Sequence, residues 1–126
     1  MRSAASSVGA VAPLNALRVV NTESSAGNLF AAGARSFSIR DTEGKLVYDS
    51  GDTLDTQAAL RGIYDDGRSR DKGVEPEGVA VRKIGDRSYA FIGLERTLKA
   101  GVAVFDITNP EAVAFIDLIV TDGDVA

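Results

Sequence analysis

Cysteine and histidine are both absent from the 126 residues. Without cysteine there are no disulfides, thiol nucleophiles or thiolate ligands, and without either residue the usual Cys/His zinc sites are excluded. The lack of histidine also removes Ser-His-Asp triads and imidazole acid–base chemistry. Any chemistry therefore rests on carboxylates, Arg and Lys, hydroxyls, or a hard oxygen-bound cation such as calcium. A cysteine-free chain fits an intracellular or an exported protein, so the compartment stays open. Basic charge is short as well: 14 Lys and Arg stand against 18 Asp and Glu, for a net charge of −4. No Lys/Arg cluster of the kind that replaces phosphate counterions is present, which sets nucleic acid aside. No apolar run approaches the roughly 18–20 residues needed to span a bilayer. The opening "MRSAASSVGAVAPLNA" has one Arg and too weak an apolar stretch for a clear secretory signal. Residues 1–15 read as a loose lead-in.

What is present is globular. Hydrophobic residues make up 44% and charged residues 25%, values of a folded chain long enough for one small domain with a core. The chain also repeats itself. "FAAGARSFSIRDTEGKLVYD" from Phe30 aligns with "FIGLERTLKAGVAVFDITNPEAVAFID" from Phe91. Gly33 matches Gly93, Phe37 matches Val102, Ile39 matches Val104 and Asp41 matches Asp106, with a short insertion near "ERTLK".

Each copy reads as strands. "SFSIR" alternates apolar and polar residues with a period of two, and "GVAVFDI" is apolar on both faces. Asp41-Thr42-Glu43-Gly44 has the chemistry of a tight reversal, and Asn109-Pro110 takes that place in the second copy. Gly85-Asp86 predicts a two-residue hairpin. Strands are expected at 16–20, 28–32, 36–40 and 45–49, and again at 78–84, 88–93, 101–107 and 113–120. Between them "GDTLDTQAALRG" predicts a short helix, capped by Asp52 or Thr53 and ended by Gly62.

The expected fold is all-β: two four-stranded antiparallel units of β-propeller type, joined by one short helix. A single eight-stranded sandwich is the alternative. Residues 16–49 form the first blade, 50–77 the helix and charged connector, 78–120 the second blade and 121–126 a tail. Two blades cannot close a ring. The chain is then a piece of a longer protein, a protein that assembles blades between copies, or a two-sheet sandwich. Open blade faces predict self-association or packing against further blades.

The segments "GARSFSIRDTEGKLVYDSGDTLD", "DGRSRDKGVEPEGVAV", "RSYAFIGLER" and "GVAVFDITNPEAVAFID" resemble the choice-of-anchor I proteins, across about residues 28–120. That family includes mesenchyme-specific cell-surface glycoproteins and bacterial relatives described as alkaline phosphatase-like. The resemblance implies a secreted or surface-anchored β-propeller, in an extracellular, periplasmic or cell-surface setting, with more blades than this chain holds. It also raises an enzymatic alternative, a calcium-dependent phosphatase or phosphoesterase. The "PEG" strand entrance further resembles lactonase-like propellers, in which a Glu so placed binds a channel calcium. A lactonase-like piece with no activity of its own is a third reading.

Candidate site residues concentrate in "DGRSRDKGVEPEGVA". Glu75 and Glu77 lie two apart, so an extended backbone puts both carboxylates on one face, a pair able to serve a metal. Pro76 between them marks a strand entrance. Arg68 and Arg96 are the candidates for holding phosphate, since guanidinium forks fit that group. Asp66 and Asp71 interleave with Arg68, Arg70 and Lys72, which favours a self-satisfied ion-pair network over a phosphate cradle. Arg35 and Arg96 occupy matched places in the repeat and are expected to pair with Glu95 or the turn residues Asp41 and Asp106. Asp41 and Asp106 are expected to cap turns two residues on. With no nucleophile in evidence, the favoured function is a binding or scaffold module with an extracellular partner, and catalysis by this chain is disfavoured.

Overall fold

The early part of the chain is rich in Ser, Gly, Asn and Ala, which hold strands poorly. A computed structural model describes residues 2–3, 18–28, 30–31, 33 and 35–124. In it β1 (Arg2–Ser3) pairs antiparallel with β2 (Arg18–Val19). Single bridges then join Val19 to Ala31 and Ser25 to Asn28. A hairpin follows, β3 (Ser38–Arg40) with β4 (Leu46–Asp49).

The four-stranded first blade expected over 16–49 is therefore not one sheet. The three strands described there fall in two separate two-stranded sheets, β2 with β1 from the lead-in and β3 with β4. Gly27 and Gly33 supply a physical reason. Their φ values of 78° and 71° are left-handed, a conformation through which a strand cannot continue. Residues 1 and 4–15 of the lead-in, residues 16–17, 29, 32 and 34 of the expected first blade and residues 125–126 of the tail lie outside the described residues.

The helix forms where expected, as α1 (Thr53–Leu60). Leu54 and Ala58, four apart, share one face and are fully buried. Asp52 stands at the N-cap position but its side chain makes no capping bond. The Thr53 amide donates instead to the Ser50 carbonyl, and Gly62 leaves the helix at φ 70°.

The second half builds one antiparallel sheet from β5 (Pro76–Ile84), β6 (Arg87–Leu94), β7 (Lys99–Asp106) and β8 (Ala114–Asp124), in that spatial order. Gly85, at φ 65°, opens the two-residue turn that sets Ile84 opposite Arg87. At the β7–β8 turn the Asn109 side chain accepts the Glu111 amide, and the Asn109 carbonyl accepts the Ala112 amide. The fold is mostly β, and the described residues form no closed propeller ring.

Register decides which face is inner. Ile92 lies opposite Ala103, and Ala103 opposite Leu118, so these residues point the same way. With Ala90, Leu94 and Phe105 they pack against Leu54, Ala58, Ile63 and Val74 to form the core. The β3–β4 hairpin joins through Phe37, whose ring meets Phe105 edge-on at 4.8 Å, and Phe105 meets Phe115 at 5.4 Å. Burial on this scale stabilises by about 1.5–3 kcal/mol per large side chain.

β5 is different. Val79 and Val81 are in register with Ile92 and Ala90 on the inner face, yet remain 69% and 62% exposed. The core residues come from β6, β7, β8, α1 and the connector, and none from β5. Among the described residues no helix is long and apolar enough to cross a membrane.

Candidate functional site: a buried carboxylate under three cations

The connector between α1 and β5 begins with an aspartate turn. Asp65 accepts the Gly67 amide at 2.9 Å and so caps the single 3-10 turn Asp66–Arg68. Gly73 then turns the chain at φ 61°, and Glu75 does so again at φ 48°. Glu75 is the one non-glycine residue with positive φ among those described. A residue before proline normally takes an extended backbone, so this corner stores strain on the order of 1–2 kcal/mol. Two ladder-like bonds hold it shut. The Glu95 amide donates to the Glu75 carbonyl and the Arg96 amide to the Val74 carbonyl, each at 3.0 Å.

The corner drives the Glu75 side chain inward, leaving it 7% exposed. Its Oε1 meets Arg68 Nη2 at 2.5 Å and Lys72 Nζ at 3.2 Å, and its Oε2 lies 3.6 Å from Arg96 Nε. Burial pushes the carboxyl pKa up, but hydrogen bonds from Arg68 and Lys72 outweigh it. The group is held below the ordinary glutamate value and stays ionised. Arg68 Nε is buried and finds no acceptor among the described residues.

Glu77 has the opposite surroundings. It is exposed on β5, and its close neighbour is another acid, Glu95. Glu75, Glu77 and Glu95 each bring a carboxylate oxygen within 4.8 Å of the others. A hydrogen bond with Glu95, together with its charge, raises the pKa of Glu77. The extended backbone expected across Glu75–Glu77 is broken at Glu75, and the β5–β6 register shifts between Pro76 and Gly78. The two carboxylates come near each other by that bend rather than by strand alternation.

A second node lies on the other side of the loop. Arg35 donates to Asp55 at 2.8 Å, to the Tyr64 hydroxyl at 3.2 Å and to the Ser69 carbonyl. Asp55 also accepts the Val74 amide at 3.2 Å. Burial disfavours the charged guanidinium, yet the bonds to Asp55 and Tyr64 prevail and raise the Arg35 pKa. Gly73 is packed against this pair: a Cβ there would lie 2.6 Å from Asp55 Oδ1. Arg35 thus ties the start of the hairpin to α1 and to the connector.

The remaining candidates fall around these nodes. Asp66 accepts the Ser69 hydroxyl, and Asp71 pairs with Arg18 at 3.4 Å. Asp41 accepts the Glu43 amide and Asp106 the Thr108 amide, each two residues on. Asp106 also binds Arg87, and the Thr108 and Arg87 bonds keep its pKa below the usual range. Arg96 pairs with both Glu75 and Glu95, whereas Arg35 pairs with Asp55 rather than Asp41. Asp55 and Tyr64 carry no local signal for this role; they meet Arg35 from 20 and 29 residues away.

The chemistry follows from this wiring. Arg68 and Arg96 have their charge directed at Glu75, which offsets the attraction they would offer a phosphate. The Ser69 hydroxyl donates to Asp66 at 2.8 Å and meets the Tyr64 hydroxyl at 2.9 Å, bonds that tie the loop to itself. The connector is built as an ion-pair clamp between α1 and the end of β6.

Fold and connector together define a mostly-β domain whose long charged loop is locked to its sheet. The chain matches the Choice-of-anchor I domain over residues 2–110, and it belongs to that family. The match includes the whole connector, Glu77, Glu95 and Arg96. Searches of curated proteins and of solved structures return no match.

Proposed function

We propose that the chain is a non-catalytic binding or scaffold module of a secreted or cell-surface protein. The observation that carries this reading is the engagement of Arg68, Lys72 and Arg96 by one buried carboxylate, Glu75. Cations so placed stabilise a loop and are not free to hold a substrate. The meander β5-β6-β7-β8 supports reading this half as one propeller-type blade, able to pack beside others. The test is turnover of a generic phosphate monoester, with and without calcium. The expected result is no release above buffer. Release that disappears in Arg96→Ala would overturn the reading.

A second reading, a calcium-dependent hydrolase, is favoured by the convergence of Glu75, Glu77 and Glu95. Calcium takes about six to eight oxygen ligands. Glu75 faces three cations and Glu95 pairs with Arg96, which leaves Glu77 as the carboxylate of the three with no ion pair among the described residues. One unpaired carboxylate beside two already engaged by cations fits a resident calcium poorly. Thermal melting during a calcium titration tests this reading, because a ligand of the folded state alone raises stability. A rise that vanishes in Glu77→Gln supports it, and no shift at millimolar calcium sinks it.

A further inference from the structure

The four-stranded sheet has two edges, and its side chains treat them differently. On β8 the Leu118 amide donates to the Asp117 carboxylate at 2.8 Å, and Arg61, just past α1, holds that carboxylate at 3.1 Å. That edge is capped from within. β5, at the other edge, is bonded to β6 alone. Its register with β6 shifts between Pro76 and Gly78, then runs unbroken from Gly78 to Ile84. Glu77 sits in the shifted part, so the open edge covers residues 78–84.

The two-residue turn makes Ile84 and Arg87 a bonded pair, and the Ser88 carbonyl turns the other way to accept the Ile107 amide. Backbone direction alternates along a strand, so Val79, Val81 and Lys83 turn their amides and carbonyls away from β6. No turn or loop bond among the described residues reaches those groups. The same residues face inward, where Val79 and Val81 stay exposed beside buried Ile92 and Ala90. Arg82 and Lys83 are also exposed, and neither has an ion pair among the described residues.

We propose that the β5 edge takes an acidic, extended segment of a different protein as an added antiparallel strand. The inference names the partner of the binding module, and so rests on that reading. Main-chain bonds to Val79, Val81 and Lys83 hold the segment, and its alternate apolar side chains cover the two valines. Acids opposite Arg82 and Lys83 set its register.

Those two cations decide which strand can come. Charge on an edge opposes casual pairing, and here it is of one sign. Between residues 78 and 84 the strand holds no acid, so a second copy laid along β5 leaves both cations unanswered. Asp86 lies in the turn, past the end of the edge. The β8 edge of a second copy carries Asp117, but that carboxylate is already engaged. An acidic strand from another protein answers both charges.

A short synthetic peptide, added to the full chain, tests the proposal. It carries two glutamates followed by alternating valine and threonine, and the control has lysines in place of the glutamates. Calorimetry should show the acidic peptide binding about tenfold more tightly than the control. Amide exchange should show protection of Val79, Val81 and Lys83, and none gained along β8. Arg82→Glu combined with Lys83→Glu should invert the preference. Val81→Pro removes an outward amide while sparing the bonds to β6, and should abolish binding. Circular dichroism of each variant reports folding, which the charge reversal at exposed positions should leave intact. Equal binding of the two peptides, binding of neither, or protection at β8 overturns the proposal. A chain that dimerises alone and protects β5 in doing so overturns it as well, and gives the edge to a second copy. Phosphate turnover decides the non-catalytic reading and peptide binding decides this one, so the two fail separately.

Discussion

The connector and the strand it feeds use charge in opposite ways. In the connector, three cations converge on one buried acid, and the loop is fixed to the sheet by its own side chains. On β5, Glu77, Arg82 and Lys83 stand in solvent beside half-bare valines. Only Pro76 separates Glu75 from Glu77, and the left-handed turn at Glu75 sends them to different fates. Charge met inside the chain stabilises the fold, and charge left in solvent contributes little to it.

The contrast can be broken from the inside first. Phe105 is fully buried and touches both Phe37 and Phe115. Phe105→Ala should destabilise by about 3–5 kcal/mol in denaturant unfolding, whereas Val81→Ala in a dilute sample should cost less than about 0.5 kcal/mol. Gly73→Ala forces a Cβ onto the Arg35–Asp55 pair at a left-handed position, and should cost about 2–3 kcal/mol by the same method.

The charges come next. Glu75→Gln keeps the shape but removes the charge that three cations face, and should cost about 2 kcal/mol. The pH dependence has a definite sign. Because the folded pKa of Glu75 is depressed, its contribution is complete above the unfolded glutamate value and is lost as pH falls through the folded one. Acid melts of the unaltered chain should show this loss, and Glu75→Gln should flatten it. Glu77 behaves in reverse. Its raised pKa means that stability declines as pH rises from the ordinary glutamate value through the raised one. Glu77→Gln should leave the neutral-pH melting temperature unchanged or slightly higher, the smallest effect of the series.

Much of the second half is legible in the sequence. Gly85-Asp86, Asn109-Pro110 and the apolar run "GVAVFDI" carry local turn and strand chemistry, and the four strands fall within a few residues of expectation. The helix is equally local. The first half is less legible, because its alternation is short and Gly33 and Gly93 match in sequence without matching in conformation. Gly33 is a left-handed turn, while Gly93 lies in β6 opposite Gly78. At the candidate site, the interleaved acids and bases point to an ion-pair network. The Glu75 corner is invisible locally, since the rule for a residue before proline predicts extension. Asp55 and Tyr64 are hidden for a different reason: their role depends on a contact with Arg35 that only the folded chain makes.

The most direct measurement sets Glu75→Gln and Glu77→Gln side by side in thermal melts of the dilute chain at neutral pH. The account predicts that the first falls by roughly 8 °C and that the second holds or rises. Equal losses at both positions, or a larger loss at Glu77, would contradict the division between a connector whose charges meet one another and a strand whose charges stand in solvent.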